Sequence, residues 1–332
     1  MHPLGIIVNP MSGRDVRRVA ARASISAHHD KQQQVTRLVL GAFHYGASEV
    51  YLANEPFRIS ERAIENIVEK DRVKMLNFKL KHSAQDTVTA AKKMWEAGCR
   101  TFIVLGGDGT NRIVARTCPD AVLLPLSTGT NNVFPQMVEA SIAGAAAGLI
   151  CSGKVPVENN CYRCKQIHIT STDGQSDIAL VDAILLKNDQ IGSFLPFSAA
   201  NITNIFLARS EAASVGISPI GGFLMPCGAE DNFGVKLRCS ESAELQLEVP
   251  ISPGLYDKIG IESYDKVELE DVNSIEGPGI LAFDGDREIQ LTAGQSALVS
   301  IRADGPWIIE PKRIMAAAVT LHAFSQSISQ SI

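Results

Sequence analysis

Five short apolar runs divide the first part of the chain into a regular series. They occupy residues 4–8, 49–53, 73–78, 101–105 and 121–126. Each run is almost continuously apolar, which is the pattern of strands that are covered on both faces, as in a parallel sheet. We therefore predict that these five runs form one parallel β-sheet.

Polar segments with helical periodicity separate the runs. Helices are predicted near 14–22, 31–45, 58–69, 84–97 and 110–117. The fourth helix has clear limits, because Ser83 is a suitable N-cap and Gly98 is a suitable C-cap. A strand–helix series of this kind predicts an α/β, doubly wound (Rossmann-like) domain over residues 1–150.

The pattern changes after this domain. Residues 151–310 contain runs in which polar and apolar residues alternate, separated by Gly, Pro, Asp and Asn. Such alternation is typical of antiparallel strands with one exposed face. The second domain is therefore predicted to be mainly β, with one helix near 199–210. A final helix over 311–328 is expected to pack back on the first domain.

Composition and charge exclude some classes of protein and of partner. The 332-residue chain is 45% hydrophobic and 20% charged, which excludes disorder along its whole length. Its net charge of -5 leaves no basic excess, so nucleic acid is not an expected partner. An anionic ligand would have to be held by local geometry rather than by overall charge.

The cysteines and the apolar stretches bear on the cellular location of the protein. Seven scattered cysteines do not form a disulfide pattern, and the pair Cys161 and Cys164 lacks the second pair that a zinc site needs. The histidines show no metal-ligand spacing either, so no metal site is predicted. The longest low-polarity run, 140–150, is about half as long as a bilayer requires, and no signal peptide is visible. We expect a cytoplasmic chain without a membrane span.

Three turn-rich loops follow predicted strands. They occupy residues 9–13, 106–110 and 127–132, with the sequences NPMSG, GGDGT and STGTNN. In an open parallel sheet, the loops at the carboxyl ends of the strands lie at the edge where ligands bind. We predict that the three loops line one cleft, which they share with the β-rich domain.

The chemistry of these loops suits a phosphate-bearing ligand. Glycines allow a close approach of the backbone, and the N-termini of the following helices supply free N–H groups and a positive dipole end. Hydroxyl groups add further donors, although none of the loops has the Walker A or GxGxxG sequence. The predicted phosphate-binding residues are Asn9, Ser12, Gly13, Gly106, Gly107, Gly109, Thr110, Ser127, Thr128, Gly129, Thr130, Asn131 and Asn132.

Asp108 stands out in the second loop, because a carboxylate repels phosphate unless it has a chemical role. It is a candidate to accept a proton from an attacking hydroxyl group or to bind a magnesium ion between phosphates. A turn aspartate that binds its own backbone is the structural alternative. Two further phosphate-type loops at the same edge favour the functional interpretation. Arg14 and Arg112, next to the first two loops, are additional phosphate candidates.

The three loops, in this order, resemble those of the superfamily of NAD kinases and diacylglycerol-type lipid kinases. The stretches GIIVNPMSGRDVRR, VLGGDGTNRIVAR and LPLSTGTNNVFP are most similar to the AcoX branch, NAD-kinase-like proteins named for acetoin catabolism. The resemblance implies an NAD kinase-like fold, in which an α/β domain is combined with a mainly β domain.

The resemblance also implies roles for single residues. The family's aspartate that activates the acceptor hydroxyl falls on Asp108, and the glycines and Thr110 around it fall on nucleotide-phosphate contacts. The acid of the Asn-Glu pair that grips the dinucleotide in NAD kinases falls on Asp182, whereas Val181 occupies the Asn position. Asp284 lies in the turn FDGDREI, which resembles a turn of both branches. Asp182 and Asp284 are therefore the predicted substrate-binding residues.

Three functions remain open at this point. The first is a small-molecule kinase that uses ATP and Mg²⁺ and whose acceptor includes NAD or NADH. The second is a lipid kinase of the diacylglycerol type, although the sequence contains no Lys-rich amphipathic helix for membrane docking. The third is a non-catalytic nucleotide sensor linked to acetoin catabolism. A nucleotide and a small-molecule substrate are the expected partners, and formation of a homo-oligomer stays open.

Overall fold

A computed structural model of the chain describes residues 1–14, 26–128, 132–193 and 197–324. The helix predicted near 14–22 lies almost entirely outside these residues, and so does the end of the segment 311–328. Of the predicted phosphate-binding residues, Gly129, Thr130 and Asn131 also lie outside them.

Strands dominate the described residues, and they are numbered here in chain order. They are β1 (Leu4–Val8), β2 (Val50–Ala53), β3 (Val73–Leu76), β4 (Thr101–Gly106), β5 (Val122–Ser127), β6 (Tyr162–Arg163), β7 (Gln166–Ser171), β8 (Ser176–Ala179), β9 (Asp182–Leu186), β10 (Ile202–Leu207), β11 (Phe233–Cys239), β12 (Leu245–Ser252), β13 (Leu255–Glu268), β14 (Val272–Glu276), β15 (Gly279–Phe283), β16 (Asp286–Leu291), β17 (Ser296–Arg302) and β18 (Trp307–Ile308). The helices are α1 (His28–His44), α2 (Ile59–Ala63), α3 (Ala84–Glu96), α4 (Asp108–Thr117), α5 (Ala140–Cys151), α6 (Ser218–Gly222) and α7 (Pro311–Thr320).

The first sheet has seven strands in the order β3-β2-β1-β4-β5-β18-β6. The strands β1 to β5 match the five predicted apolar runs and are parallel, as is β18, while β6 runs antiparallel at the edge. Apolar side chains of α1, α5 and α7 pack on one face of this sheet, and those of α3 and α4 pack on the other. The predicted doubly wound α/β architecture is therefore confirmed.

Helix α5 corresponds to the Ala- and Gly-rich run of the sequence, and it is buried along most of its length. Its small residues let it approach α1 closely, since a Cβ atom at Gly148 would lie 2.5 Å from the carbonyl oxygen of Ala42. The composition of this run thus reflects close helix packing.

The second region is built from two antiparallel sheets. The larger has the order β12-β13-β11-β10-β9-β15-β16, and the smaller has the order β14-β17-β7-β8. Apolar side chains between the two sheets form one core, and a second core lies on the other face of the larger sheet. The prediction of a mainly β region is confirmed.

Two helix predictions need correction. The segment predicted as a helix near 199–210 contains a short 3₁₀ turn, Ala199–Asn201, and then strand β10. The pairing of β10 with β9 and β11 decides its structure, because cross-strand neighbours outweigh the local preference of a short segment. Near 58–69 the helix is confined to the five residues of α2.

The chain crosses between the two regions twice. It leaves the first sheet after β6, forms both antiparallel sheets, and returns to the first sheet with β18, which pairs with β5. Helix α7 then buries Ile314 and Ala318 in the first core, as the sequence led us to expect. Among the described residues, no helix has the length and apolar character needed to cross a membrane.

Candidate active site

The three glycine- and hydroxyl-rich loops lie side by side at one edge of the first sheet. They follow β1, β4 and β5, which are neighbours in that sheet. The side-chain amide of Asn9 donates a hydrogen bond to Thr110 Oγ1 at 2.9 Å, and Thr128 Oγ1 donates to Ser12 Oγ at 3.1 Å. The structure thus joins the first loop to the other two, which the sequence pattern had only placed at a common edge.

The first loop is held by a lysine that the sequence analysis missed. Lys31 is fully buried, and its Nζ donates to the carbonyl oxygens of Asn9, Pro10 and Ser12 at 2.9, 3.1 and 2.6 Å. The side chain of Asn9 shapes the same loop, since its Oδ1 accepts hydrogen bonds from the N–H groups of Met11 and Ser12. Gly13 follows with a φ of 73°, which a residue with a side chain rarely adopts.

We expect the substitution Lys31→Met to weaken binding of the nucleotide that the resemblance implies by about tenfold or more. It keeps an apolar stem but removes three charge-assisted hydrogen bonds, each of which contributes about 1.5–3 kcal/mol. Isothermal titration calorimetry with ATP measures the change in affinity. Lys31→Arg is the matched variant and is expected to keep part of the affinity. Unchanged affinity in Lys31→Met would show that the loop does not contact the nucleotide.

The second loop leads directly into helix α4. Gly107 is the N-cap of this helix, and a Cβ atom at Gly106 would lie 2.6 Å from Thr110 Cβ, so the loop closes tightly on itself. At Gly109 a Cβ atom would meet Asp286 Oδ2 at 2.8 Å. A side chain at position 109 would therefore displace the carboxylate of Asp286, which comes from the second region.

The third loop is described at its two ends only. Ser127 ends β5, and its Oγ accepts a hydrogen bond from Asn132 Nδ2 at 2.6 Å. Thr128 is buried, and its N–H donates to the carbonyl oxygen of Gly106 at 3.4 Å. Thr128 thus contacts the second loop, while Ser127 and Asn132 join the two described ends of the third loop to each other.

Asp108 is buried where the second and third loops meet. Its Oδ1 accepts hydrogen bonds from the N–H groups of Phe134 at 3.0 Å and Val133 at 3.3 Å. It does not bind its own turn, so the structural alternative of a local turn aspartate does not describe it. Burial raises the pKa of Asp108 to about 7, and the nearby charge of Asp284 adds to this effect. Such a pKa is suited to a general base at neutral pH.

The two predicted substrate-binding acids differ in their surroundings. Asp284 is buried, and its carboxylate accepts hydrogen bonds from the N–H groups of Leu180, Val181 and Asp182 at 2.8, 2.8 and 3.2 Å. These bonds fix the point where the chain passes from β8 in one sheet to β9 in the other. Asp182 is buried directly beside this turn. The Val181 side chain is fully buried in an apolar cluster.

Arg112 does not have the phosphate-binding role that its position suggested. Its guanidinium is 1% exposed and binds Asp177 at 3.1 Å, Asp286 at 3.2 Å and Glu288 at 2.8 Å. These three carboxylates come from the second region, so Arg112 ties helix α4 to that region. Arg14 lies at the exposed end of the described first loop.

A third buried cation, Arg209, lies next to Asp108 and, like Lys31, was missed by the sequence analysis. It is 6% exposed, its guanidinium stacks on the Phe134 ring at 4.6 Å, and it donates to the Tyr162 hydroxyl at 3.0 Å. Phe134 is the residue whose N–H binds Asp108. The charge of Arg209 also opposes the increase in the pKa of Asp108.

We expect Arg209→Met to move the pKa of Asp108 above about 7, because the ionised carboxylate loses a nearby cation. A general base is active in its ionised form. If Asp108 has this role, the pH at which turnover increases should be higher in Arg209→Met than in the wild type. The pH dependence of kcat/KM measures this shift. Tyr162→Phe keeps the charge of Arg209 and is expected to leave the profile in place. A profile that does not move in Arg209→Met would contradict this role.

A cavity of about 610 Å³ opens in front of the loops. At one end it is lined by predicted site residues: Asn9, Ser12, Gly107, Asp108, Gly109, Thr110, Asn132 and Asp284. Beyond β2 and β3 its lining includes Phe57, Phe78 and Leu80 together with polar residues, among them Asn54 and Glu55. Ser83 and Asp86 also line it, where Ser83 caps α3 as predicted and Asp86 binds the N–H groups of the preceding turn. The cavity thus extends from the three loops to a part of the lining that combines apolar and polar side chains.

The missed cations left weak but recognisable signals in the sequence. Lys31 lies on the same face of α1 as Val35 and Leu38, four and seven positions later. A charged residue on an apolar helical stripe indicates a buried partner, here the loop carbonyl groups. For Arg209 the sequence offers only an arginine after the apolar segment 205–208, which was predicted as part of a helix.

Comparison with known proteins defines the class of this chain. Residues 4–155 match the family model of the ATP-NAD kinase N-terminal domain, and residues 165–304 match that of the acetoin catabolism protein X C-terminal domain. The crystal structure of yeast NADH kinase complexed with NADH superimposes with a TM-score of 0.52 at 13% identity, covering 100% of this chain and 90% of that one. At this identity the likeness shows the fold alone, which is NAD kinase-like.

The family follows from a curated relative. Acetoin catabolism protein X of Cupriavidus necator is 30% identical over 312 residues, which cover 90% of this chain and 87% of that protein. The chain belongs to the acetoin catabolism protein X family. The resemblance that the three loops had indicated is confirmed.

Proposed function

We propose that this chain is an ATP-dependent kinase that phosphorylates a hydroxyl group of a small molecule, with NAD and NADH as the first candidates. The observation that carries the proposal is Asp108, a buried carboxylate with a pKa of about 7 among three loops of phosphate-binding composition. The NAD kinase-like family match and the yeast NADH kinase fold support the same reaction class.

Two parts of the cavity lining suit the two parts of a nucleotide. The backbone N–H groups and hydroxyls of the loops would hold the phosphates. The apolar side chains of Phe57, Phe78 and Leu80 offer a surface for a base, among polar neighbours such as Asn54 and Glu55. Asp108 would accept the proton of the acceptor hydroxyl as that oxygen attacks the terminal phosphoryl group.

Magnesium fits this cavity as a companion of the nucleotide. The described residues contain no group of three or more His, Cys, Asp or Glu side chains arranged to hold a metal ion by themselves. Asp286 lines the cavity with a carboxylate, which is the type of ligand that Mg²⁺ prefers, and the phosphates of the nucleotide would supply further oxygen ligands. The bound ion would neutralise the charge that develops on the transferred phosphoryl group.

The acceptor is the part that the site leaves most open. In NAD kinases an Asn grips the dinucleotide at the position of Val181, whereas the Val181 side chain here is buried among apolar residues. We therefore expect NAD or NADH to be a weaker substrate than in NAD kinases that keep the Asn, because a lost hydrogen bond costs about 1–3 kcal/mol.

The test is ATP consumption by the purified chain with a panel of acceptors: NAD, NADH, diacylglycerol and small hydroxylated metabolites. Turnover with a soluble acceptor, abolished in Asp108→Asn, supports the proposal. Turnover with diacylglycerol alone would make the chain a lipid kinase. A thermal shift with ATP but no turnover on any acceptor would favour a nucleotide sensor.

A further inference from the structure

A lysine and a cysteine are in direct contact in the interior of the second region. Lys165 is 3% exposed and Cys227 is 1% exposed, and the Lys165 Nζ lies 3.0 Å from the Cys227 Sγ. The same Nζ donates to the carbonyl oxygen of Phe233 at 2.7 Å. Neither side chain belongs to the site described above.

This cysteine differs from the others in its electrostatic surroundings. Burial raises the pKa of Cys99, Cys151 and Cys239 to about 12, which makes their thiols inert at neutral pH. At Cys227 burial also raises the pKa, but the hydrogen bond from Lys165 opposes it. Burial in turn lowers the pKa of Lys165, which increases the share of the neutral, nucleophilic amine.

The salt bridges of the described residues do not include Lys165, which has a sulfur and a carbonyl oxygen as its hydrogen-bond acceptors. Among the seven cysteines, all within the described ranges, Cys227 alone accepts a hydrogen bond from a lysine. The pair therefore combines a nucleophilic nitrogen and an oxidisable sulfur at contact distance.

We propose that Lys165 and Cys227 form an oxidative modification site, at which hydrogen peroxide joins the Lys165 Nζ covalently to the Cys227 Sγ. The Cys227 thiolate first attacks peroxide and becomes a sulfenic acid, and the peroxide is reduced to water. The neutral amine then attacks the sulfur, so that an S–N bond forms and water leaves. A second peroxide inserts one oxygen to give an N–O–S bridge and is itself reduced to water.

The link would tie together two segments that are 62 positions apart. Lys165 lies between β6, in the first sheet, and β7, in the second region. Cys227 pairs with Ser210 through two backbone hydrogen bonds of 2.9 Å, directly after Arg209. Oxidation would thus fix the junction of the two regions to the strand end that carries Arg209, and it should raise the melting temperature because it constrains the unfolded chain.

The purified 332-residue chain is treated with increasing amounts of hydrogen peroxide, and its remaining thiols are blocked. Its tryptic peptides are then analysed by mass spectrometry without reduction. We expect a peptide in which Lys165 is joined to Cys227. Relative to the two separate peptides, an S–N link lowers its mass by two hydrogens, and an N–O–S link lowers it by two hydrogens and adds one oxygen. Either form should disappear on treatment with dithiothreitol. Cleavage after Lys165 should be lost at the same time. The untreated protein is the first control.

Two variants sharpen the result. Lys165→Met removes the amine and Cys227→Ser removes the sulfur, and neither should give the linked peptide. Cys239, a buried thiol without a lysine partner, should stay free under the same treatment. The proposal is overturned if the wild-type protein keeps Cys227 free, or carries it only as the sulfinic or sulfonic acid, while trypsin still cleaves after Lys165. This readout needs no kinase activity, so it fails or succeeds independently of the proposed function.

Discussion

Asp108→Asn is expected to lower phosphoryl transfer by a factor of about 10²–10⁴, the usual loss on removal of a general base. Nucleotide affinity should stay close to that of the wild type or increase, because the substitution removes a negative charge beside the phosphates. The Asn side chain has nearly the same shape, and its Oδ1 can still accept the hydrogen bond from the N–H of Phe134. Single-turnover kinetics and ATP titration separate the two effects.

The same variant makes a prediction about stability. Since the pKa of Asp108 in the folded chain is about 7, well above that of an unfolded aspartate, ionisation of this carboxyl opposes folding. The penalty is absent while the group is protonated in both states, and stability is lost as the pH rises from the unfolded pKa of about 4 to the folded pKa of about 7. Asp108→Asn should therefore be more stable than the wild type at pH 8, and this gain should disappear toward pH 4.

Two outcomes would contradict this assignment. Full turnover of Asp108→Asn on the true acceptor would show that another group takes the proton. A variant that does not fold would show that the contacts of Asp108 with Val133 and Phe134 are its main role. Asp120→Asn, which removes an exposed carboxylate far from the loops, is the control for loss of charge and should change neither property.

Arg112→Met is expected to reduce the free energy of unfolding by about 1.5–3 kcal/mol, the usual contribution of a hydrogen bond between charged groups. The methionine still fills the space of the stem, but Asp177, which is 7% exposed, loses a buried cation. Asp286 and Glu288 lose the same partner and are more exposed, so they add less. Urea denaturation at neutral pH measures the change.

Arg116→Met is the matched control, because Arg116 binds the same Asp177 oxygen at 2.8 Å from an exposed position. Its loss should cost no more than about 1 kcal/mol, as is usual for exposed ion pairs. If the two variants were equally stable, burial of Arg112 would not determine the strength of this contact.

The sequence predicted those parts of the molecule whose cause is local. The strands β1 to β5 of the first sheet are largely apolar, and such runs are recognised without knowledge of the rest of the chain. The three loops were found in the same way, because glycines and hydroxyl residues directly after such strands are typical of ligand-binding loops. Ser83 and Gly98, at the ends of α3, are set by the local geometry of a helix end.

The parts that the sequence did not predict depend on distant partners. Arg112 was assigned to phosphate because it follows the second loop, but its acidic partners lie 65 to 176 positions away. The carbonyl groups that bind Lys31 come together only when the first loop folds, and the residue types of this loop do not indicate that arrangement. The structure of β10 is determined by its pairing with β9 and β11. Its own residues do not indicate this pairing, so the segment was predicted as a helix.

Because the chain returns to its first sheet with β18, this sheet stays incomplete long after its first five strands have been synthesised. Until residues 307–320 leave the ribosome, β5 has an open edge at Val122 and Leu123, and the surface later covered by Ile314 is exposed. An open strand edge of this kind is a template for pairing with other chains. The nascent loops can therefore form early, but the sheet that supports them is completed only after residues 307–308 have been synthesised, and a chain released before that point is prone to aggregation.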